Sequence, residues 1–145
     1  MALDPSVLQS SFDLVIEREP RMTARFYEIL FTRYPEVRPL FGRDQTMQGA
    51  MLQTALTSVL ERLEDAPWLA STLGAMGRKH LDYGVTYEMY DWVGECLLAT
   101  LAEIAGEGWT PAVAAQWTEA YGAIAGLMQA GARAAEQEAA LAASA

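Results

Sequence analysis

Apolar residues recur along this chain at intervals of three and four, and strict alternation of apolar and polar residues never persists for the length of a strand. This spacing places apolar side chains on one face of an α-helix. One such face comprises Leu52, Ala55, Leu56, Val59, Leu60 and Leu63. We therefore predict an all-α chain with helices at about 5–18, 20–34, 35–40, 45–64, 67–82, 86–105 and 110–135.

Capping residues and breakers mark the ends of several of these helices. Asp4-Pro5 and Thr110-Pro111 each pair a side chain that can cap a helix with a proline suited to its first turn. Gly84 closely follows the fifth helical pattern, and we expect it to end that helix. The helix boundaries are thus predicted from local chemistry as well as from periodicity.

The chain has 145 residues, a length that suits one compact domain, and it contains no internal repeat or linker. We assign this domain to residues 1–131. Residues 132–145 contain eight alanines and few side chains large enough for a core. This segment is predicted to be a helical extension or a frayed tail.

The charge balance narrows the possible partners. There are 19 acidic and 10 basic residues, which gives a net charge of −9 and argues against binding to nucleic acid or to an anionic membrane. One cysteine and one histidine exclude a disulfide framework and a histidine-cluster metal site. No signal peptide or bilayer-spanning apolar run is visible, so we expect a cytoplasmic protein without nucleic-acid or membrane partners.

His80 is the only histidine and the first candidate for chemistry. It follows Met76 by four residues and Leu73 by seven, so it shares their apolar helical face. An imidazole in this position can serve as an axial ligand to haem iron. It can equally be a core or rim histidine bonded to a backbone carbonyl. Its spacing alone leaves both interpretations open.

Several separated motifs resemble the bacterial single-domain globins, and are similar to the haemoglobin domain of flavohaemoglobins. They occur in the family's order and cover about residues 5–130. The motifs are Phe26 to Phe31, Tyr34 to Phe41, Arg78 to Val85, Tyr90 to Gly94 with Leu97 and Leu98, and finally Trp117, Ala120, Tyr121 and Gly122. The resemblance implies a globin fold of about six to seven helices around a pocket for haem b.

Matching positions to the family implies a role for each site residue. His80 corresponds to the proximal iron ligand, and Tyr90 to a tyrosine beside it. The implied distal pocket comprises Phe41 stacked on the haem, Tyr27 and Gln48 as hydrogen-bond donors, and Leu52 one turn after Gln48. Gln45 and Gln53 remain competitors for the place of Gln48, because the preceding loop is a few residues shorter than in some relatives.

Globin packing also implies a contact for Gly49, which lies inside a predicted helix. Glycine is unfavourable there by about 1 kcal/mol relative to alanine. A close crossing with the second helix near Thr23 explains the residue, although simple tolerance of glycine is an alternative.

The distal donors suit dioxygen, which carries partial negative charge when bound to ferrous haem. Tyrosine O–H and glutamine N–H both donate, and a hydrogen bond to a charged group contributes about 1.5–3 kcal/mol. Each such bond should slow dioxygen release by roughly one to two orders of magnitude. Carbon monoxide carries less charge and should benefit less.

One position departs from the flavohaemoglobin pattern. A glutamate that assists the tyrosine beside the proximal histidine is replaced by Ala132. We expect His80 to donate mainly to the backbone carbonyl of Met76, which favours reversible binding over O–O bond cleavage. Asp82 and Glu88 could substitute only if they fold inward.

The resemblance implies reversible dioxygen binding for oxygen transport, storage or scavenging, by a monomer or weak homodimer that also accepts carbon monoxide and nitric oxide. An alternative is a nitric oxide dioxygenase supplied with electrons by a separate reductase, since no reductase domain is visible. A haem-based gas sensor and a haem-free helical interaction module are further alternatives.

Overall fold

The computed structural model describes residues 3–42 and 44–144, and this part of the chain contains helices and no strand. The prediction of an all-α chain is confirmed. The α-helices are α1 (Pro5–Arg18), α2 (Met22–Arg33), α3 (Gln45–Glu61), α4 (Ala66–Asp82), α5 (Tyr87–Ala105) and α6 (Pro111–Ser144). Two 3₁₀ helices, Pro35–Leu40 and Gly106–Gly108, connect α2 to α3 and α5 to α6.

The predicted capping residues satisfy backbone amides at helix starts. The Asp4 carboxylate accepts hydrogen bonds from the amides of Ser6 at 3.0 Å and Val7 at 3.3 Å. The Thr110 hydroxyl accepts one from the amide of Val113 at 3.2 Å. Each bond satisfies a backbone donor that has no partner within the helix. The predicted starts of α1 and α6 are confirmed.

The main core lies between α1, α2, α3, α5 and α6. Its largest fully buried side chains include Trp117 and Phe26. The Trp117 indole donates a buried hydrogen bond of 2.8 Å to the Ser11 hydroxyl, which in turn donates to backbone carbonyls of its own helix. Because every polar atom in this chain of bonds has a partner, the indole can be buried at little cost.

Helix α3 crosses α2 at very short range. A β-carbon added to Gly49 would lie 2.5 Å from Thr23 Oγ1 and 3.9 Å from the Tyr27 ring. The predicted contact between Gly49 and Thr23 is therefore confirmed. The absence of a side chain at Gly49 lets the first turns of α3 approach the first half of α2.

Helix α4 lies directly against the backbone of α6. A β-carbon on Gly77 would fall 1.8 Å from the carbonyl oxygen of Met128, and one on Gly131 would fall 2.1 Å from the carbonyl oxygen of Gly74. Only glycine permits two helix backbones to come this close. The position of α4, which carries His80, is therefore set by its contact with α6.

Helix α6 continues well beyond the predicted end at residue 135 and remains helical to Ser144. Alanine has the highest helix propensity, which accounts for this continuation through a segment with few apolar contacts. Ala132 is still buried, with 2% exposure, whereas residues 136–144 are exposed. The division of the chain into a domain at 1–131 and an extension at 132–145 stays a prediction.

No helix in residues 3–42 and 44–144 is both long enough and apolar enough to cross a membrane.

Candidate functional site

His80 lies in the last turn of α4, and its side chain is partly buried. Gly84, with φ of +93°, follows the end of the helix, and the amide of Val85 donates to the His80 carbonyl at 3.0 Å. This left-handed conformation suits glycine and reverses the chain after the helix. The predicted role of Gly84 in ending α4 is confirmed.

The His80 ring forms a hydrogen bond that determines its tautomer. Nδ1 lies 2.7 Å from the backbone oxygen of Met76, as the sequence predicted. A carbonyl oxygen can only accept, so Nδ1 carries the proton and Nε2 of the neutral ring carries a lone pair. In metal-binding histidines, the ring nitrogen that does not bind the metal typically donates to an acceptor of this kind, and the bond orients the ring. The geometry thus presents Nε2 as a possible metal ligand.

Two tyrosines flank this imidazole. The ring centroids of Tyr83 and Tyr90 each lie 6.4 Å from that of His80. Tyr83 is exposed, whereas Tyr90 is buried, and burial raises the pKa of Tyr90. The Tyr90 hydroxyl has no hydrogen-bond partner within the described part of the chain. It is therefore an uncommitted polar atom in an apolar environment.

Neither of the carboxylates that the sequence offered, Asp82 and Glu88, accepts a hydrogen bond from the Tyr90 hydroxyl. Asp82 and Glu88 are both exposed, so neither folds inward. Ala132 is buried one helical turn after Met128, which belongs to the same apolar cluster as Tyr90. Its methyl group cannot accept a hydrogen bond.

An aromatic cluster forms the candidate distal region. The Tyr27 ring is 5.4 Å from Phe41 and 5.7 Å from Phe31, and those two phenylalanines are 5.4 Å apart. Tyr27 is 4% exposed, and burial raises its pKa to about 12. Its hydroxyl therefore keeps its proton at neutral pH and can donate a hydrogen bond.

Gln48 lies in the first turns of α3 and is partly buried. Its Oε1 is buried without a hydrogen-bond partner in the described residues, and its Nε2 lies beside Gly42. The next residue, Gly49, packs against Thr23 and the Tyr27 ring. This crossing brings the start of α3 to Tyr27.

The two competing glutamines face other surroundings. With its amide oriented to match its neighbours, Gln45 accepts from both terminal nitrogens of Arg38 at 3.0 Å. Gln53 lines a groove between α1 and α3, together with Gln9 and Thr57. Of the three glutamines, only Gln48 has a buried polar side-chain atom without a partner in the described part of the chain.

Leu52 and Phe41 are partly buried, and both pack against the main core. Phe31 belongs to the same region but was not identified as a site residue from the sequence. Its position four residues after Tyr27 was the available signal, because this spacing places both rings on one helical face. The Arg38 guanidinium lies 4.8 Å from the centre of the Phe31 ring and covers it on the outside.

Comparison with known protein families concerns the sequence as a whole. The family model named Globin matches residues 24–128, a range that contains Tyr27, Phe41, Gln48, Leu52, His80 and Tyr90. The chain belongs to the globin family. The resemblance noted in the sequence is therefore confirmed, together with the globin fold.

This globin also has curated relatives of greater length. It is 32% identical over 122 residues to flavohemoproteins of Bacillus thuringiensis and Bacillus cereus, and the match covers 82% of this chain. The chain spans about 30% of the length of those relatives. Globins and flavohemoproteins bind haem.

Solved structures show the same fold. An engineered carbene transferase from Rhodothermus marinus, provisionally named a nitric oxide dioxygenase, is 27% identical and has a TM-score of 0.80, with 97% of this chain and 99% of that chain covered. A bacterial globin from Campylobacter jejuni has a TM-score of 0.77 at 24% identity, covering 92% of this chain and 96% of that one. The second likeness concerns the fold alone.

Proposed function

We propose that this globin binds haem b through Nε2 of His80 and reversibly binds dioxygen on the opposite side, beside Tyr27 and Gln48. The observation that carries the proposal is the hydrogen bond from His80 Nδ1 to the Met76 carbonyl, which leaves the Nε2 lone pair available. Haem would supply a ferrous iron to which a diatomic gas can bind reversibly.

The residues on both sides of the proposed pocket fit this cofactor. The uncommitted polar atoms Gln48 Oε1 and Tyr90 OH are buried where the family match expects the haem pocket. Phe41 and Leu52 offer apolar surface to a porphyrin, and Phe41 is held in position by its contacts with Tyr27 and Phe31. In this proposal His80 is the metal ligand. The residues that line the cofactor or its gas are Tyr27, Phe41, Gln48, Leu52 and Tyr90.

Tyr27 and Gln48 would determine how long the gas remains. The buried Tyr27 hydroxyl stays protonated, since its pKa is about 12, and the Gln48 amide offers a second donor. Each well-formed bond to dioxygen should slow its release by roughly one to two orders of magnitude. Carbon monoxide and nitric oxide fit the same space and receive less help from these donors.

The proximal side favours reversible binding. His80 donates to a neutral carbonyl, and Ala132 provides no carboxylate near Tyr90. A carboxylate partner would increase the basicity of the imidazole more than a carbonyl does. We therefore place oxygen transport, storage or scavenging first, in a cytoplasmic monomer or weak homodimer.

Nitric oxide dioxygenation is the second candidate. It is favoured by the similarity to flavohemoproteins and by the name of the Rhodothermus marinus protein. In that reaction nitric oxide and dioxygen combine to form nitrate, and one electron must come from a reductase. Rapid enzymatic re-reduction after nitric oxide is mixed with the oxygenated protein would favour this candidate over simple carriage.

The first test is the visible absorption spectrum of the protein mixed with haem in its ferric, ferrous and oxygenated forms. We expect stoichiometric uptake, a sharp Soret band and a stable oxygenated spectrum. His80→Gly should lose this spectrum and regain it with added imidazole, whereas Lys79→Ala, at the exposed neighbouring position, should behave as the unaltered protein. A spectrum that does not respond to His80→Gly would overturn the proposal.

A further inference from the structure

Beyond the buried Ala132, three side chains of α6 reach the helices that carry the proximal residues. The Arg133 guanidinium lies 5.0 Å from the centre of the Tyr87 ring. The Glu136 carboxylate accepts a hydrogen bond from the Tyr87 hydroxyl. Glu138 Oε2 lies 2.5 Å from Arg78 Nη2. We call Arg133, Glu136 and Glu138 the α6 clamp.

The two residues held by the α6 clamp lie on either side of the turn that joins α4 to α5. Arg78 precedes His80 by two residues in α4, and Tyr87 is the first residue of α5, three before Tyr90. The same short stretch of α6 therefore contacts both helices that place the His80 and Tyr90 rings 6.4 Å apart.

The contact between α4 and α6 closer to the core is apolar. Gly74 and Gly77 lie against the backbone of α6, and Leu73 shares a buried cluster with Ala125 and Met128 of α6. This packing fixes the middle of α4 against α6. A polar contact from Arg78, away from the helix axis, can resist rotation of the last turn of α4, where His80 is located.

We infer that the α6 clamp positions the proximal histidine: Arg133, Glu136 and Glu138 hold the end of α4 and the start of α5 so that the His80 imidazole keeps its orientation. The C-terminal part of α6, which contributes little to the core, would then serve to hold α4 and α5. The inference rests on the proposed function of His80 as haem ligand, and it concerns positioning residues that do not touch the cofactor.

The size of the effect follows from the exposure of these groups. The Arg78 and Glu138 side chains are 42% and 64% exposed. Exposed pairs contribute little individually, so a single substitution should change haem dissociation by no more than about fivefold. Loss of both acidic clamp residues should have a larger effect, since it removes the contacts to α4 and α5 together.

The test compares two double variants. The clamp variant combines Glu136→Gln with Glu138→Gln. The control combines Glu64→Gln with Glu107→Gln and removes the same charge at exposed positions outside α6. Three measurements apply: the iron–histidine stretching band in resonance Raman spectra of the ferrous protein, the rate of haem transfer to an acceptor apoglobin, and hydrogen exchange of the amides of residues 78–82 in the haem-free chain. The clamp variant should broaden or shift the band, speed haem loss severalfold and speed exchange.

Rescue distinguishes positioning from a loss of charge. Arg78→Glu alone breaks only the contact to α4 and should produce a smaller defect of the same kind. Arg78→Glu combined with Glu138→Arg should restore the band and the exchange rates. A haem-loaded clamp variant that matches the Glu64/Glu107 control in all three measurements would overturn the inference and leave the proposed function intact. If the unaltered chain takes up no haem, the proposed function fails, and hydrogen exchange alone decides whether the clamp holds α4.

Discussion

The Nδ1 atom of His80 lies 2.7 Å from the carbonyl oxygen of Met76, which precedes it by one turn of α4. This bond orients the imidazole and assigns its proton to Nδ1, so Nε2 of the neutral ring is the basic nitrogen. The partner is a neutral peptide group of the same helix. In the proposed site, this partner orients the imidazole and polarises it less than a carboxylate would.

Removal of the Tyr27 hydroxyl should speed dioxygen release. We expect Tyr27→Phe to release dioxygen roughly 10- to 100-fold faster at neutral pH, because a protonated donor is lost from a buried site. Stopped-flow displacement of dioxygen measures this rate. Tyr34→Phe is the matched control, since Tyr34 donates instead to Glu95 on the exposed side of the molecule. Equal release rates in the two variants would remove Tyr27 from the proposed site.

Substitutions of Gln45, Gln48 and Gln53 should have different effects on the rate of dioxygen release in the same assay. Gln48→Leu should speed release by roughly 10-fold or more, since its amide is the second donor in the proposed site. Gln45→Leu and Gln53→Leu should change the rate little, because Gln45 contacts Arg38 and Gln53 lines the groove between α1 and α3. A larger effect at Gln45 or Gln53 than at Gln48 would show that the assignment is wrong.

Glycine-to-alanine substitutions at the crossing of α4 with α6 and at the open positions of α6 should have effects of opposite sign on stability. Gly77→Ala should lower the free energy of unfolding by several kcal/mol, since its methyl group would overlap the Met128 carbonyl. Gly122→Ala and Gly126→Ala meet no atom within 4 Å, so each should stabilise the protein by about 0.5–1 kcal/mol through helix propensity. Urea unfolding of the haem-free and haem-bound proteins measures both effects. A neutral Gly77→Ala would contradict the close crossing of α4 and α6.

Contacts between residues close in sequence could be predicted, whereas contacts between distant helices could not. The caps at Asp4 and Thr110 and the bond from His80 to Met76 depend on neighbouring residues, and the sequence predicted them. The contacts of Arg78 with Glu138 and of Tyr87 with Glu136 join residues about 50–60 positions apart. They depend on how α4 and α5 cross α6, and periodicity carries no information about those angles. The sequence therefore predicted a helical extension or a frayed tail at the alanine-rich end of α6, without these contacts.

A carboxylate introduced at Ala132 should strengthen the proximal ligand. Ala132 is buried one turn after Met128, which shares an apolar cluster with Tyr90. The Tyr90 hydroxyl lacks a partner in the described residues. In Ala132→Glu that hydroxyl could donate to the new carboxylate, and the pair could polarise His80. We expect the iron–histidine stretching band to move to higher frequency, with a loss of stability of about 1–3 kcal/mol from the added volume.

Two further variants separate charge from volume in this prediction. Ala132→Gln adds the same volume without charge, so it should destabilise the protein similarly and leave the band near its original frequency. Ala132→Glu combined with Tyr90→Phe removes the hydroxyl that links the carboxylate to the imidazole, and it should lose most of the shift. A shift of equal size in Ala132→Gln would mean that the band responds to packing, and the missing carboxylate would then no longer explain a preference for reversible binding.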